Sequence, residues 1–520
     1  MLVHENSRKL VLNLEHPDKV TTIIPSAKKI VFRGKTLVTV PHGIEETRVL
    51  RNMGIDAPGP IQHYYKWPGQ FKPYDHQRIT ANFLTLHPRA FCLNDMGTGK
   101  TASVLWAFDY LRSVGMAKAL LVVAPLSALE RAWADEVFKS FPHLTCVTLH
   151  ATSAKRLKLL DFPADVYVIN HDGIKSSLIL SALADKIQSG DIDVVVPDEL
   201  AVFRNSGTER WKAMRKLVAP ATYVWGLTGT PIPNEPTDAW AQIKLIAPEK
   251  VPKYFGQFRD TVMRQLGPYK WVARPGALNH VYSVMQPAVR YSRDECLDLP
   301  PTTYVTREVE LSPQQKVAYT QMLNSFKADL EGGQVTALSE AAKLMKLIQI
   351  VCGVVYTQTG DVEIPAPDRV ELVREIIEEA GAKVIVFVPL TGALNMVAKE
   401  LRRHFSVEVV FGGTPKSERD RIFGDFQTQK TPRVIVANPG TMSHSLTLTA
   451  ADTIIWFAPI NSAEIYLQAN ARIPRPGQKL HTHIVHIAGS ELERRMYARL
   501  QRRQDTQGVL LSMFETESVG

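Results

Sequence analysis

The sequence predicts an α/β protein: two tandem, doubly wound lobes, each built on a parallel sheet, behind a small β-rich N-terminal module. Apolar runs of strand length alternate with helical patterns in two separate stretches, the signature of parallel sheets covered on both faces. From Phe71 to about Pro248 the runs are AFCL, ALLVVAP, TCVTL, DVYVIN, DVVVPDE and YVWGLTGTP; from Tyr304 to Ser512 they are KVIVFVP, VEVVFG, PRVIVAN, DTIIWFAP and THIVHIA. A glycine-rich loop, NDMGTGKT (94–101), leaves the first run and opens a helix.

In order, residues 1–68 predict an accessory module. KLVLNL (9–14), TTIIP (21–25), KIVF (29–32) and TLVTV (36–40) read as strands, IEETRVLRNMG (44–54) as a helix and DAPGPIQHYYKWPGQ (56–70) as a linker. Seven Lys/Arg stand against three Asp/Glu over residues 1–40, so the module has the charge to face a nucleic acid. Residues 69–248 form the first lobe, 249–306 a mostly helical or irregular insert, and 307–520 the second lobe with a C-terminal helix. After the loop, TASVLWAFDYLRS (101–113) puts Val104, Leu105, Phe108 and Leu111 on one helical face.

Composition narrows the class. The 520 residues are 45% hydrophobic and 22% charged with a net charge of +9, a globular profile compatible with a polyanionic partner. No apolar run is long enough to cross a membrane, and Met1–Leu10 has no signal-peptide core. Cys92, Cys146, Cys296 and Cys352 are scattered, without a CxxC pair, which suits a reducing, cytoplasmic setting.

The loop has a physical logic. Gly97 and Gly99 admit backbone conformations in which the amides of Met96 to Thr101, Thr98 included, converge on phosphates at a helix N-terminus. Lys100 would reach the β- and γ-phosphates, and the Thr101 hydroxyl would sit on Mg²⁺. DIDVVVPDELA (191–201) ends a buried strand in Asp198 and Glu199. The first can hold Mg²⁺ through water, and the second can take a proton from an attacking water.

With both motifs in place, residues 71–512 resemble superfamily 2 helicase-type motors, most closely compact SWI/SNF-type DNA translocases of viral or bacterial kind. The resemblance implies RecA-like lobes, ATP and Mg²⁺ as cofactors, and duplex or branched DNA bound without regard to sequence. In KPYDHQ (72–77), Gln77 would read the adenine edge. In LVVAPLSALERAWADE (121–136), backbone around Pro125 and Ser127 would meet a DNA strand, as would Asn170 in VINHDGI (168–174). Thr228 and Thr230 of GLTGTPIPN (226–234) would couple hydrolysis to motion. In the second lobe, Gly412 and Gly413 of FGGTPKSERDRIFGDF (411–426) and Thr441 would touch the strand. QANARIPRPGQ (468–478) matches the family's most specific pattern: Gln468 for the nucleotide, Arg472 and Arg475 as transition-state arginines. Three residues apart, these two fit one helical turn, and arginine suits charge spread over phosphoryl oxygens.

Departures remain. Asn94 replaces a small residue and is expected to cap the loop through its amide. Ser443, Ser445 and Thr447 stand where Gly, Gly and Asn are usual. Two other functions stay open: an RNA helicase of the same superfamily, against which DLPP (298–301) and RIPRPGQ speak, and an ATP-gated DNA clamp that hydrolyses little. The large helical insertions of chromatin-remodelling members are absent.

Overall fold

Alternating burial builds the N-terminal module. Strands Leu2–His4, Lys9–Leu12, Lys35–Pro41 and Lys28–Phe32 lie in that order in an antiparallel sheet. One face packs Leu10, Leu12, Val38 and Val40 against Val20, Ile24 and Leu50. In this computed structural model the described residues are all but 268–269, 297–298, 332–336, 358–359, 443–446 and 516–520, with the side chains of 326–341 and 515 also outside the description.

TTIIP is not a strand. Helix Pro17–Ile23 takes most of it, with Pro at the first turn. Val20 and Ile24, four apart, both enter the core, and that helical period overrides β-branched propensity. The Thr22 hydroxyl donates back to the Asp18 carbonyl at 2.8 Å. The linker is also more than a tether. Tyr65 and Trp67 pack edge-on against Tyr110 and Trp106, the Tyr65 hydroxyl donates to Asp109, and Trp106 Nε1 donates to the Pro68 carbonyl at 2.8 Å. This strap covers the outer side of helix Lys100–Ser113, so Ser103 to Leu111 are all buried rather than one face alone.

Met1–Cys296 and Val509–Gly520 form one compact unit, Leu297–Gly508 the other. The first unit's large sheet is seven-stranded and parallel, in the order Ala288–Val289, Arg89–Cys92, Tyr223–Leu227, Val194–Pro197, Leu120–Ala124, Val166–Asn170, Cys146–Thr148. The insert after 249 holds helices Phe255–Val262 and Ala277–Val284, and it adds the edge strand Ala288–Val289 and an antiparallel hairpin, Met263–Gly267 with Lys270–Ala273. These three strands are short, and the hairpin is largely exposed, so apolar periodicity hardly marks them. Leu510, Leu511 and Phe514 pack into this unit's core.

The second unit's sheet has six parallel strands, ordered Thr302–Glu308, Thr482–Ala488, Ala451–Trp456, Lys383–Phe387, Val434–Ala437, Val407–Val410. A fully buried Arg369–Glu493 pair ties helix Pro367–Glu379 to helix Glu491–Glu515 at 2.8 Å. No helix among the described residues is long and apolar enough to cross a membrane.

Candidate active site

Three neighbouring strands of the first sheet deliver the predicted residues to its C-terminal edge. Arg89–Cys92 feeds the loop, Tyr223–Leu227 feeds Thr228 and Thr230, and Val194–Pro197 feeds Asp198 and Glu199. Gly97 and Gly99 take φ of 89° and 80°, which only glycine adopts without strain. A Cβ on Gly99 would lie 2.0 Å from Gln77 Nε2.

Gln77 is already engaged. Its Oε1 accepts from Tyr74 N at 3.0 Å and its Nε2 donates to the Thr98 carbonyl at 3.1 Å. It clamps the loop with one amide hydrogen and one lone pair, which leaves a second hydrogen on Nε2 and a second lone pair on Oε1. His76 Nε2 bonds the same carbonyl at 2.9 Å. Lys100 Nζ donates to the carbonyls of Asn94 and Asp95 at 2.8 and 3.1 Å, folded back into the loop. Met96 and Thr101 are half-buried beside it.

Asn94 does not cap the loop. It is buried, with Nδ2 donating to Thr80 Oγ1 and Oδ1 accepting from Tyr291 N, both at 2.9 Å. A longer polar side chain here reaches past the loop to the segment after the edge strand. Asp95 does the same: Oδ1 meets buried Arg290 at 2.6 Å, and Oδ2 accepts from Arg293 N at 2.9 Å. Burial pushes the Asp95 carboxyl up, but Arg290 and these bonds outweigh it and hold it below the usual range. Sequence reasoning missed this clasp because its halves lie far apart in the chain.

Asp198 and Glu199 are half-buried. Asp198 Oδ2 accepts from Trp133 Nε1 at 2.9 Å and Oδ1 from Glu199 N at 3.0 Å. Burial raises its pKa against the pull of Trp133, Lys100 and the Glu199 amide. Glu199 sits at φ 53°, ψ 58°, a left-handed conformation costing a non-glycine residue roughly 1–3 kcal/mol. His171 donates from Nε2 to the Asp198 carbonyl at 2.8 Å, and burial drives its pKa down to about 4, so it is neutral at pH 7. Trp133 and His171 are site residues the sequence reading did not single out, although WADE and NHDG contain them. Trp133 rides on a π-helix, Leu129–Ala134, directly after the segment of buried Pro125 and exposed Ser127. Such wide turns gather at functional positions.

Thr230 N donates to Thr228 Oγ1 at 3.0 Å, and Gly229 lies against the loop, where a Cβ would stand 3.6 Å from both the Asn94 carbonyl and Met96 N. Thr230 Oγ1 and Asn170 Oδ1 are buried without a hydrogen-bond partner.

In the second unit, helix Ala463–Asn470 ends before the arginines. Pro474 restricts the residue before it and blocks another turn, so Arg472 and Arg475 do not share one. Arg472 is buried, its Nε donating to the Gln468 carbonyl at 2.9 Å. Arg475 is half-exposed, its Nε on the Ala471 carbonyl at 2.9 Å and Nη1 on Thr447 Oγ1 at 3.2 Å. The Gln468 side chain is buried with its Nε2 unpartnered. Gly412 and Gly413 lie on an exposed turn, and Thr441 Oγ1 donates to the Asn438 carbonyl at 2.7 Å. Ser443 and Ser445 lie outside the described residues.

Comparison with known proteins agrees with this arrangement. A model of the SNF2-related domain matches residues 86–353, more than half the chain, and one of the helicase conserved C-terminal domain matches 368–477. Protein p41 of Acyrthosiphon pisum secondary endosymbiont phage 1 is 26% identical over 447 residues, covering 80% of this chain and 92% of its own. The SWI/SNF-related matrix-associated actin-dependent regulator of chromatin subfamily A-like protein 1 of Xenopus laevis is 24% identical over 81% of this chain. An uncharacterized ATP-dependent helicase of Mycoplasma genitalium is 25% identical over 79%. The chain spans 42% and 39% of those two proteins. A solved Sulfolobus solfataricus SWI2/SNF2 ATPase core in complex with dsDNA matches at 22% identity and TM-score 0.41, covering 87% of this chain and 96% of that one, too loose a likeness to argue from. Glycine-rich loop, strand-end acids, threonine pair and both arginines, Arg472 and Arg475, fall within the two matched regions, and the chain belongs to the SNF2-related domain family.

Proposed function

We propose that the chain is an ATP-driven DNA motor, a translocase that moves along or remodels duplex or branched DNA by gripping its phosphate backbone. The observation that carries this is Glu199, held in a strained backbone beside Asp198 at the sheet edge that also presents the phosphate loop. Strain of this kind persists where the surroundings enforce it, often at reacting positions. Lys100 binds the β- and γ-phosphates after leaving the Asn94 and Asp95 carbonyls, and the amides of 96–101 cradle the rest. Thr101 and Asp198 suit Mg²⁺, which takes few protein ligands and completes its shell with phosphate and water. Glu199 takes the proton of the attacking water. Arg475 serves the transition state, whereas buried Arg472 holds the segment in shape. Pro125, Ser127, Asn170, Gly412, Gly413 and Thr441 contact the strand, and Thr228 and Thr230 relay between loop and track. Residues 1–68 act as a DNA-facing module.

ATPase rates with no nucleic acid, single-stranded DNA, duplex, fork and RNA test the reading side by side. Duplex or forked DNA at least matching single strands is expected. Stimulation by RNA but not DNA would overturn it. Arg475→Ala should cut turnover on the order of 10³-fold while sparing ATP affinity; equal losses of both would make Arg475 a binding residue.

A further inference from the structure

The basic N-terminal module ends in an arm that its own core does not need. Strand Lys28–Phe32 pairs with Lys35–Pro41 on one side and has an open edge on the other. Every residue of it is exposed. Phe32 faces Lys35 across a two-residue turn, Arg33-Gly34, with φ of 47° and 75°, the tight hairpin form that matches strand twist. The returning strand is buried only from Val38 onward. Three residue pairs, Ile30 with Leu37, Val31 with Thr36 and Phe32 with Lys35, therefore project past the module's core, roughly 10 Å at the rise of a strand.

The tip is apolar and cationic together. Val31 is 77% and Phe32 57% exposed. Successive strand residues point to opposite faces, so Val31 stands on one side and Phe32 on the other, with Ile30, 39% exposed, behind Phe32. The Arg33 guanidinium lies over the Phe32 ring at 5.3 Å. From Lys28 to Thr36 there are four cations and no acid. Lys29 pairs with Asp18, while Lys28, Arg33 and Lys35 make no ion pair among the described residues.

We propose that this hairpin is a nucleic-acid junction reader: Phe32, backed by Arg33, stacks on the last base pair where two strands diverge, and Lys28 and Lys35 meet the flanking phosphates. Every base offers a π-face, so stacking tolerates any sequence, and cations beside it supply the backbone affinity. The proposal rests on the DNA-motor reading for its biological use but not for its test.

The full chain, without nucleotide, is titrated onto forked DNA carrying 2-aminopurine at the first paired position, and onto the matching linear duplex. Fork binding should brighten the probe as the Phe32 ring takes the place of the unpaired base stacked on it. Phe32→Ala should weaken fork binding roughly tenfold, the scale of one lost base-stacking contact, and abolish the brightening. Phe32→Trp should retain both. Linear-duplex binding and duplex-stimulated ATPase should change less than twofold in either variant, and an unaltered melting curve shows the module intact. A Phe32→Ala chain that keeps the brightening and the fork preference overturns the proposal, and so does a wild-type chain that never brightens the probe. Brightening in a chain whose ATPase ignores DNA would keep the hairpin's role and defeat the motor reading instead.

Discussion

At the level of single residues, the loop's chemistry follows from charge that must be met. Lys100 rests on two carbonyls, and ATP would replace those partners with phosphate oxygens. Lys100→Ala should nearly abolish hydrolysis; Glu199→Gln should bind ATP yet stall, because an amide cannot accept the water's proton. Near-normal turnover by either folded variant in a steady-state assay would remove the assignment. Arg290 has a different task. Its guanidinium is buried against Asp95 and the Leu93 carbonyl, and breaking a buried pair by removing one partner costs about 3–5 kcal/mol, less here because Asp95 is partly exposed. Arg290→Met should lower the denaturation midpoint and raise KM for ATP more than it lowers kcat. Unchanged stability and KM would show that the clasp does not hold the loop.

At the level of elements, the π-helix Leu129–Ala134 joins the turn Leu126–Ala128 to the Asp198 carboxylate through one indole N–H. Trp133→Phe keeps the ring in the core and deletes that donor. Loss of a hydrogen bond to a carboxylate is worth roughly 1.5–3 kcal/mol, so turnover should fall about tenfold or more while the melting temperature shifts little. A fall in melting temperature with turnover intact would make Trp133 a core residue alone. The elements also show where periodicity is legible. The β-branched run Val194–Val195–Val196 reads as a buried strand and is one, whereas Ala288–Val289 is too short to carry a pattern and Pro17–Ile23 needed its packing partners to declare itself a helix.

At the level of the whole molecule, two buried imidazoles link stability to pH. Burial lowers His171 in the first unit and His486 in the second from 6.5 to about 4. Between those values the unfolded chain binds protons the folded chain does not, so stability falls as pH drops through that window, by about 1.4 kcal/mol per pH unit for each group. Denaturant melts from pH 7 to pH 4 should show this slope, and His486→Gln should flatten the second unit's share; an unchanged slope would mean that other groups carry it. Net charge of +9 has its own consequence. DNA affinity should drop linearly with log salt and vary little with base sequence, as counterion release requires. Filter binding on unrelated duplexes across a salt series checks both, and a marked sequence preference would point to base readout instead.

The sequence by itself determined the two sheets, the phosphate loop, the acid pair and the arginine segment, because each depends on local spacing: strand-length apolar runs, glycines where φ must be positive, carboxylates at a strand end. Tertiary structure decided what those residues hold. Asn94 bonds Thr80 and Tyr291 rather than its own loop, Gln77 clamps the Thr98 carbonyl, and Arg472 is buried while Arg475 stays half-exposed. These outcomes turn on partners up to about two hundred positions away in the chain, as in Arg290 on Leu93. A buried polar atom must find a partner wherever the fold brings one, and no local pattern records where that is.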